Sequence, residues 1–186
     1  MWYNIYVIGK GLQKGIDFMG LLDTIFKDFR FSRDGMANCY VRAFNGENNE
    51  VEQLDQELMD RYIKGQSIVD IIKDDFSSEW VDFVLSNGLV LRVNSNEGCG
   101  GCSNGWYCLD TLIDTRENGN IITKIEVKNP ECAEDGTYSM FIYSNDKRIV
   151  TADFSGYDNG YYGTGIWVEI IIPKETITKI CNGEVK

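Results

Sequence analysis

From residue 67 onward, apolar and polar residues alternate in short runs, and this pattern restricts the possible fold more than any other feature of the chain. A period of two residues is typical of β-strands that bury one face. The pairs Asn87-Gly88 and Asn145-Asp146 separate some of these runs and favour tight hairpins. The predicted strands are 67–72, 80–85, 89–94, 121–127, 138–143, 148–154 and 166–172.

Several short strands at close spacing predict an antiparallel β-rich sandwich or barrel-like roll, which we place at residues 66–186. The run at 67–73 is ambiguous, because Ile68, Ile71 and Ile72 also have the spacing of a helix.

The preceding residues 1–65 have a different pattern and predict a separate β-α-β-α segment. Its strands are expected at 2–8 and 36–44, and its helices at 16–29 and 50–64, where apolar residues recur at intervals of three and four. Gly65 fits the position just past the second helix. The whole chain is therefore predicted to be an α+β protein with a boundary near Gly65.

The formal charge of the chain is -11, and residues 66–186 carry most of it, with nineteen acids and ten bases. Such a charge argues against direct binding to nucleic acid, where affinity depends on Lys and Arg displacing counterions. It suits a basic partner, although solubility alone also explains an acidic surface. No apolar run is long enough to cross a bilayer, and no export signal is apparent, so we expect a cytoplasmic protein without membrane contact.

The chain contains no histidine. This removes the commonest general base, the Ser-His and Cys-His nucleophile pairs, and every zinc site that uses His. The sequence therefore predicts a protein that is not an enzyme. The alternative is an enzyme that binds a small ligand between its two glycine-rich segments.

The first glycine-rich segment, 97–108, combines four glycines with three cysteines. Cys99 and Cys102 have the spacing of a zinc half-site, which Cys108 and Cys132 would complete. A redox dithiol is a second interpretation, although the following Trp106-Tyr107 looks like a strand rather than a helix. The third interpretation needs no cofactor: a tight loop whose cysteines pack beside Trp106 as small hydrophobic residues.

The second glycine-rich segment, 156–165, carries the candidate binding residues Tyr157, Asp158, Tyr161 and Tyr162. Tyrosine rings on a glycine-rich loop suit recognition of a ligand or a protein, or they fold back over a sheet edge. The acid pair Asp74 and Asp75 is a further candidate for binding, and its simplest alternative is a solvated loop.

Residues 66 to about 172 resemble a family of uncharacterised domains found largely in tailed-phage and bacterial genomes. The resemblance is carried by Leu85-Ser86-Asn87-Gly88, by the strand at 121–127, by the run 97–107 (EGCGGCSNGWY) and by 156–165 (GYDNGYYGTG). It implies a phage or mobile-element setting and brings no established reaction or catalytic residue.

These observations lead to one functional expectation and one main alternative. The expectation is a binding protein that acts in the host cytoplasm and inhibits a host defence protein in the manner of anti-CRISPR proteins. An acidic inhibitor of this kind would occupy the basic groove of a nucleic-acid-binding effector such as a CRISPR nuclease. The alternative is a cysteine-centred module that binds zinc or cycles a dithiol.

Overall fold

Strands dominate the computed structural model, which describes residues 27–31, 35–42, 54–73, 79–95, 107–128, 135–157 and 166–181. These ranges contain ten strands and two helices. In chain order they are β1 (Arg30–Phe31), β2 (Ala37–Arg42), α1 (Gln56–Tyr62), β3 (Ile68–Lys73), β4 (Trp80–Leu85), β5 (Val90–Ser95), β6 (Tyr107–Asp114), β7 (Lys124–Lys128), β8 (Asp135–Ser144), β9 (Lys147–Tyr157), β10 (Ile166–Ile172) and α2 (Lys174–Cys181).

The strands form two sheets in which every described pairing is antiparallel. The six-stranded sheet has the order β1-β2-β10-β5-β4-β3, and the four-stranded sheet has the order β6-β9-β8-β7. The hairpins predicted at Asn87-Gly88 and Asn145-Asp146 are confirmed, since they join β4 to β5 and β8 to β9. Gly88 and Asn145 both have positive φ, the conformation that such turns require.

Both sheets contribute to one cluster of buried residues. Alternate residues of the central strands enter it, as Phe83 and Leu91 do from the six-stranded sheet and Met140 and Phe154 from the four-stranded sheet. Burial of each such side chain contributes roughly 1.5–3 kcal/mol to folding. The two sheets are therefore held together by one hydrophobic core.

Helix α1 is defined by its cap and its apolar face. Asp55 precedes it, and its side chain accepts a hydrogen bond from the backbone N–H of Leu58 (3.1 Å). Met59 and Ile63 are buried in the core, and Gly65 follows with a φ of +87°. The backbone N–H of Gly65 donates to the carbonyl of Ile122 (2.9 Å), which ties the end of the helix to the chain before β7.

The predicted β-α-β-α arrangement of residues 1–65 is not supported. The strand at 2–8 and the helix at 16–29 lie outside the described residues, apart from 27–29, and Lys27 and Asp28 form a turn. The strand predicted at 36–44 corresponds to β2, and the helix predicted at 50–64 corresponds to α1. Residues 68–73 form strand β3, so the helical interpretation of that run is wrong.

The strand order also bears on the predicted division at Gly65. Strand β2 precedes that position, yet it pairs with β10 in the six-stranded sheet. Tyr40 lies opposite Glu169, and Ala37 lies opposite Ile172. The six-stranded sheet therefore takes strands from both sides of residue 65, and the division into two folding units stays a prediction.

Within the described residues, no helix is both long enough and apolar enough to cross a membrane.

Candidate functional site

Several strand termini of the six-stranded sheet lie side by side at one of its ends. Lys73 at the end of β3 is opposite Val81 near the start of β4, and Trp80 is opposite Asn94 near the end of β5. Ser95 is in turn opposite Ile166, the first residue of β10.

The four-stranded sheet has a matching end. Tyr107, the first residue of β6, is opposite Gly156 near the end of β9, and Asp135 at the start of β8 is opposite Tyr157. The segments 96–106 and 158–165 connect the two sheets through these termini. We call this common end of the two sheets the loop end, and it is defined by Lys73, Trp80, Ser95, Tyr107, Lys128, Asp135, Tyr157 and Ile166.

The four connections that leave and re-enter the sheets at the loop end are acidic in sequence. Segments 74–78, 96–106, 129–134 and 158–165 contain six acids and no lysine or arginine. By contrast, the described residues are nearly balanced, with sixteen acids and fourteen bases. The acids of the four connections are Asp74, Asp75, Glu97, Glu131, Glu134 and Asp158.

Two of the predicted site residues belong to the described strands near the loop end. Cys108, the second residue of β6, is partly exposed and lies opposite Ser155 in the register of the sheet. Tyr157 is the last residue of β9. The other predicted site residues lie outside the described residues: Asp74, Asp75, Cys99, Cys102, Cys132, Asp158, Tyr161 and Tyr162.

The structure relates the predicted zinc ligands only through the strand ends to which their segments attach. The segments that contain Cys99, Cys102 and Cys132 attach to strand termini at the loop end, and Cys108 lies beside that end. Among the residues that the structure describes, no three His, Cys, Asp or Glu side chains are grouped as a metal ion would require. The zinc interpretation stays a prediction.

A row of polar side chains crosses the middle of the six-stranded sheet. Arg92 on β5 pairs with Asp82 on β4, and the Arg92 guanidinium lies 4.7 Å from the ring centroid of Trp80. Glu169 on β10 accepts hydrogen bonds from the amides of Asn94 (2.9 Å) and Asn38 (3.2 Å).

The two carboxylates of this row are buried and hydrogen-bonded. Asp82 is 7 % exposed and Glu169 is 6 % exposed. Because buried charges are costly unless they are paired, these contacts fix the side chains in place. The row therefore holds the neighbouring strands of this sheet together, and its carboxylates are engaged rather than available for chemistry.

A cleft of about 520 Å³ lies between the β1–β2 hairpin and α1. In the wall of this cleft, Arg61 forms ion pairs with Asp28 and Glu57. The Tyr62 hydroxyl donates a hydrogen bond to Asp28 (3.0 Å). Burial, with added repulsion from Asp28 and Asp55, raises the pKa of the Cys39 thiol to about 11. Cys39 lines the cleft as a neutral thiol, so it is a poor nucleophile at neutral pH.

Sequence reasoning missed one exposed group of side chains, on the outer face of the four-stranded sheet. Phe141 and Tyr143 on β8 alternate with buried residues and point outward. Three exposed cations, Lys124, Lys128 and Arg148, lie against these rings. We call these five residues the aromatic-cation face. The sequence did carry a signal for this face. Lys124 and Lys128 on one strand, and Phe141 and Tyr143 on the next, each alternate with apolar residues of the opposite face.

The comparison with known families supports one part of the sequence resemblance, namely that the chain contains an uncharacterised domain. A family model described as "Domain of unknown function (DUF7448)" matches residues 57–168, which is more than half of the chain. The chain therefore belongs to this family of uncharacterised domains. Neither a search of curated proteins nor a search of solved structures gave a match.

Proposed function

We propose that this protein is a binding protein that uses the acidic connections of the loop end to engage a basic surface of a partner protein. What supports the proposal is the antiparallel register, which attaches four connections without lysine or arginine to one end of the two sheets. The resemblance to phage and bacterial domains directs the choice of partner to a host defence nuclease. The specific form of the proposal is an inhibitor of a CRISPR nuclease.

The charge distribution gives this proposal its physical basis. Most of the net charge of -11 belongs to residues outside the nearly balanced described ranges, and six of those acids are in the four connections. Like charges concentrated in one region raise the association rate with a surface of opposite sign. Salt screens such charges beyond about 8 Å at physiological ionic strength. Binding through the loop end should therefore weaken as salt rises.

The test is a pull-down with the tagged full chain from bacterial lysates that express CRISPR nucleases, followed by a DNA cleavage assay on each captured nuclease. We expect capture, and inhibition that weakens as the salt concentration increases. The proposal in its specific form fails if no tested nuclease is captured or inhibited at a large molar excess of the protein.

A pair of charge variants locates the interaction. The loop-end variant carries Asp74→Asn, Asp75→Asn, Glu131→Gln and Glu134→Gln. The control removes four exposed acids elsewhere, with Asp60→Asn, Glu117→Gln, Asp146→Asn and Glu175→Gln. Both variants lose the same charge, so we expect only the first to lose roughly tenfold or more in inhibitory potency. Equal loss in the two variants would mean that net charge alone, and not the loop end, drives binding.

A second proposal is a cysteine-centred module at the same end. What supports it is that the segments of Cys99, Cys102 and Cys132 attach to the strand termini beside Cys108. Elemental analysis should then find about one zinc per chain, and Cys99→Ser should remove it while Cys39→Ser, in the core, should not. Less than one metal per ten chains would reject the zinc form. Unreactive thiols in the folded protein would reject the dithiol form.

A further inference from the structure

The aromatic-cation face combines two aromatic rings with three cations on neighbouring strands of the four-stranded sheet. The Arg148 guanidinium carbon lies 4.0 Å from the ring centroid of Phe141, and the Lys128 ammonium lies 5.8 Å from the same centroid. The Lys124 ammonium lies 5.6 Å from the centroid of Tyr143. All three cations are exposed, so the face is open to a ligand.

The acids on this face are already engaged. The Tyr143 hydroxyl donates to Glu126 (2.8 Å), and the Lys124 ammonium lies 2.5 Å from the same carboxylate. Asp153 accepts from the hydroxyl of Ser139 (2.6 Å). Within the described residues, Lys128 and Arg148 contact aromatic rings but form no ion pair. Their positive charge is therefore available to an anion.

We propose that the aromatic-cation face binds single-stranded nucleic acid, with one base stacked on the Arg148 guanidinium that covers Phe141, another base against Tyr143, and phosphates held by the cations. Sheet faces that carry aromatic and basic side chains bind single strands in this way, because every base offers a flat surface to stack on. An acidic peptide would satisfy the cations but would leave the planar surfaces of the rings without a matching group. The combination of rings and cations favours the nucleic acid.

The net charge of the protein sets the strength of this interaction rather than excluding it. At physiological salt, charges more than about 8 Å away are largely screened, so the side chains in contact with the strand dominate. The two cations without an ion pair, Lys128 and Arg148, can neutralise about two phosphates, which corresponds to a slope of about -1.4 when the logarithm of affinity is plotted against the logarithm of salt concentration. We expect weak binding without sequence preference, with a Kd of roughly 10⁻⁴ M or slightly lower.

The experiment measures the fluorescence anisotropy of a labelled oligothymidylate titrated with the full chain, first at 50 mM salt and then at rising salt. Phe141→Leu keeps an apolar side chain and removes the aromatic face, and Arg148→Ala removes the cation that lies over it. We expect each to weaken binding by about fivefold or more. Lys179→Ala removes one exposed cation from α2 and is the matched control, which should bind like the original protein.

Thermal unfolding of each variant shows whether the sheet is intact, so that a loss of affinity is assigned only to folded protein. The proposal is overturned if the oligonucleotide does not bind at 50 mM salt, or if folded Phe141→Leu and Arg148→Ala bind as well as the control. It is also overturned if oligoglutamate binds as tightly as the oligonucleotide and Phe141→Leu leaves both affinities unchanged. That last result would identify a simple anion site.

Discussion

Arg92 and Asp82 form a two-pronged ion pair across neighbouring strands, with Nε donating to Oδ1 (2.6 Å) and Nη2 donating to Oδ2 (2.7 Å). The Asp82 side chain is 10 % exposed and that of Arg92 is 28 % exposed. The pair sits in the polar row at the middle of β4 and β5, where the two residues are directly opposite each other. Removal of one partner would leave the other charge partly buried.

Asp82→Asn tests this arrangement, because it preserves the shape of the side chain and removes its charge. We expect the free energy of unfolding to fall by about 2–3 kcal/mol, less than for a wholly buried pair because Arg92 is partly exposed. Urea denaturation measures the change. Asp146→Asn, in an exposed turn, serves as the control and should stay within about 0.5 kcal/mol. A loss of less than 1 kcal/mol for Asp82→Asn would show that solvent already screens the pair.

The sequence predicted most strands of the fold because alternation is a local property. The predicted strands 80–85 and 166–172 coincide with β4 and β10, and others differ at their ends by a few residues. Strand β6 was not among the predicted strands, although Trp106-Tyr107 at its start looked like a strand. Its register shifts between Leu109 and Thr111, so Asp110 interrupts the alternation on which the prediction depends.

Helix α2 was also missed, for a different reason. Its β-branched residues Thr176, Ile177, Thr178 and Ile180 resemble a continuation of strand β10. The helical signal was Pro173, which immediately precedes the helix and is suited to its start.

Long-range relationships were beyond local patterns. The pairing of β2 with β10 joins residues about 130 positions apart, and only packing of the complete sheet selects it. The acidity of residues 66–186 was visible in the sequence, but the attachment of four acidic connections at one end required the strand register. Likewise, Arg148 reaches Phe141 only because the turn at Asn145 brings β9 back along β8.

Gly88 and Gly119 offer a matched test of the contact between the β4–β5 turn and α2. Both have positive φ, at +80° and +84°, but an added Cβ at Gly88 would lie 3.0 Å from the Thr176 hydroxyl oxygen, whereas one at Gly119 would meet nothing within 4 Å. That hydroxyl donates to the carbonyl of Gly88 (2.8 Å).

We expect Gly119→Ala to cost about 1 kcal/mol of unfolding free energy, which is the strain of the left-handed conformation alone. Gly88→Ala should cost about 1–2 kcal/mol more, because it adds a steric clash and disturbs the hydrogen bond from Thr176. Chemical denaturation of the two variants gives the difference directly. Equal losses would show that α2 shifts to accommodate the added methyl group.

Arg116 connects the two sheets and covers part of an edge. Its Nε and Nη2 atoms donate to Asp114 (2.8 and 2.9 Å), and Nη1 donates to the carbonyl of Ile68 on β3 (2.8 Å). Strand β3 is the last strand of the six-stranded sheet as described, and its Val69 and Ile72 side chains are 60 % and 45 % exposed. An open strand edge with exposed apolar residues tends to pair with other chains.

Arg116→Lys should therefore promote self-association, since lysine keeps the charge but cannot make the same three hydrogen bonds. We expect a loss of about 1–2 kcal/mol in unfolding free energy and a sedimentation coefficient that rises with protein concentration. Lys73→Arg, on the same strand, is the control for a change of basic side chain. If Arg116→Lys sediments like the original protein at every concentration, the guanidinium does not protect this edge.

The buried thiol of Cys39 predicts a loss of stability at alkaline pH. Its pKa is raised from 9.0 to about 11 in the folded protein, chiefly by burial. Its contribution to stability is therefore complete below pH 9 and is lost as pH rises from 9 to 11, because the unfolded chain releases the proton first. A difference of about two pKa units corresponds to roughly 2–3 kcal/mol over that range.

Cys39→Ala has no thiol to titrate, so the difference in unfolding free energy between the original protein and this variant should narrow by that amount between pH 8.5 and 11. Urea denaturation at a series of pH values measures this difference, and a constant difference would mean that the folded thiol ionises near its ordinary pKa.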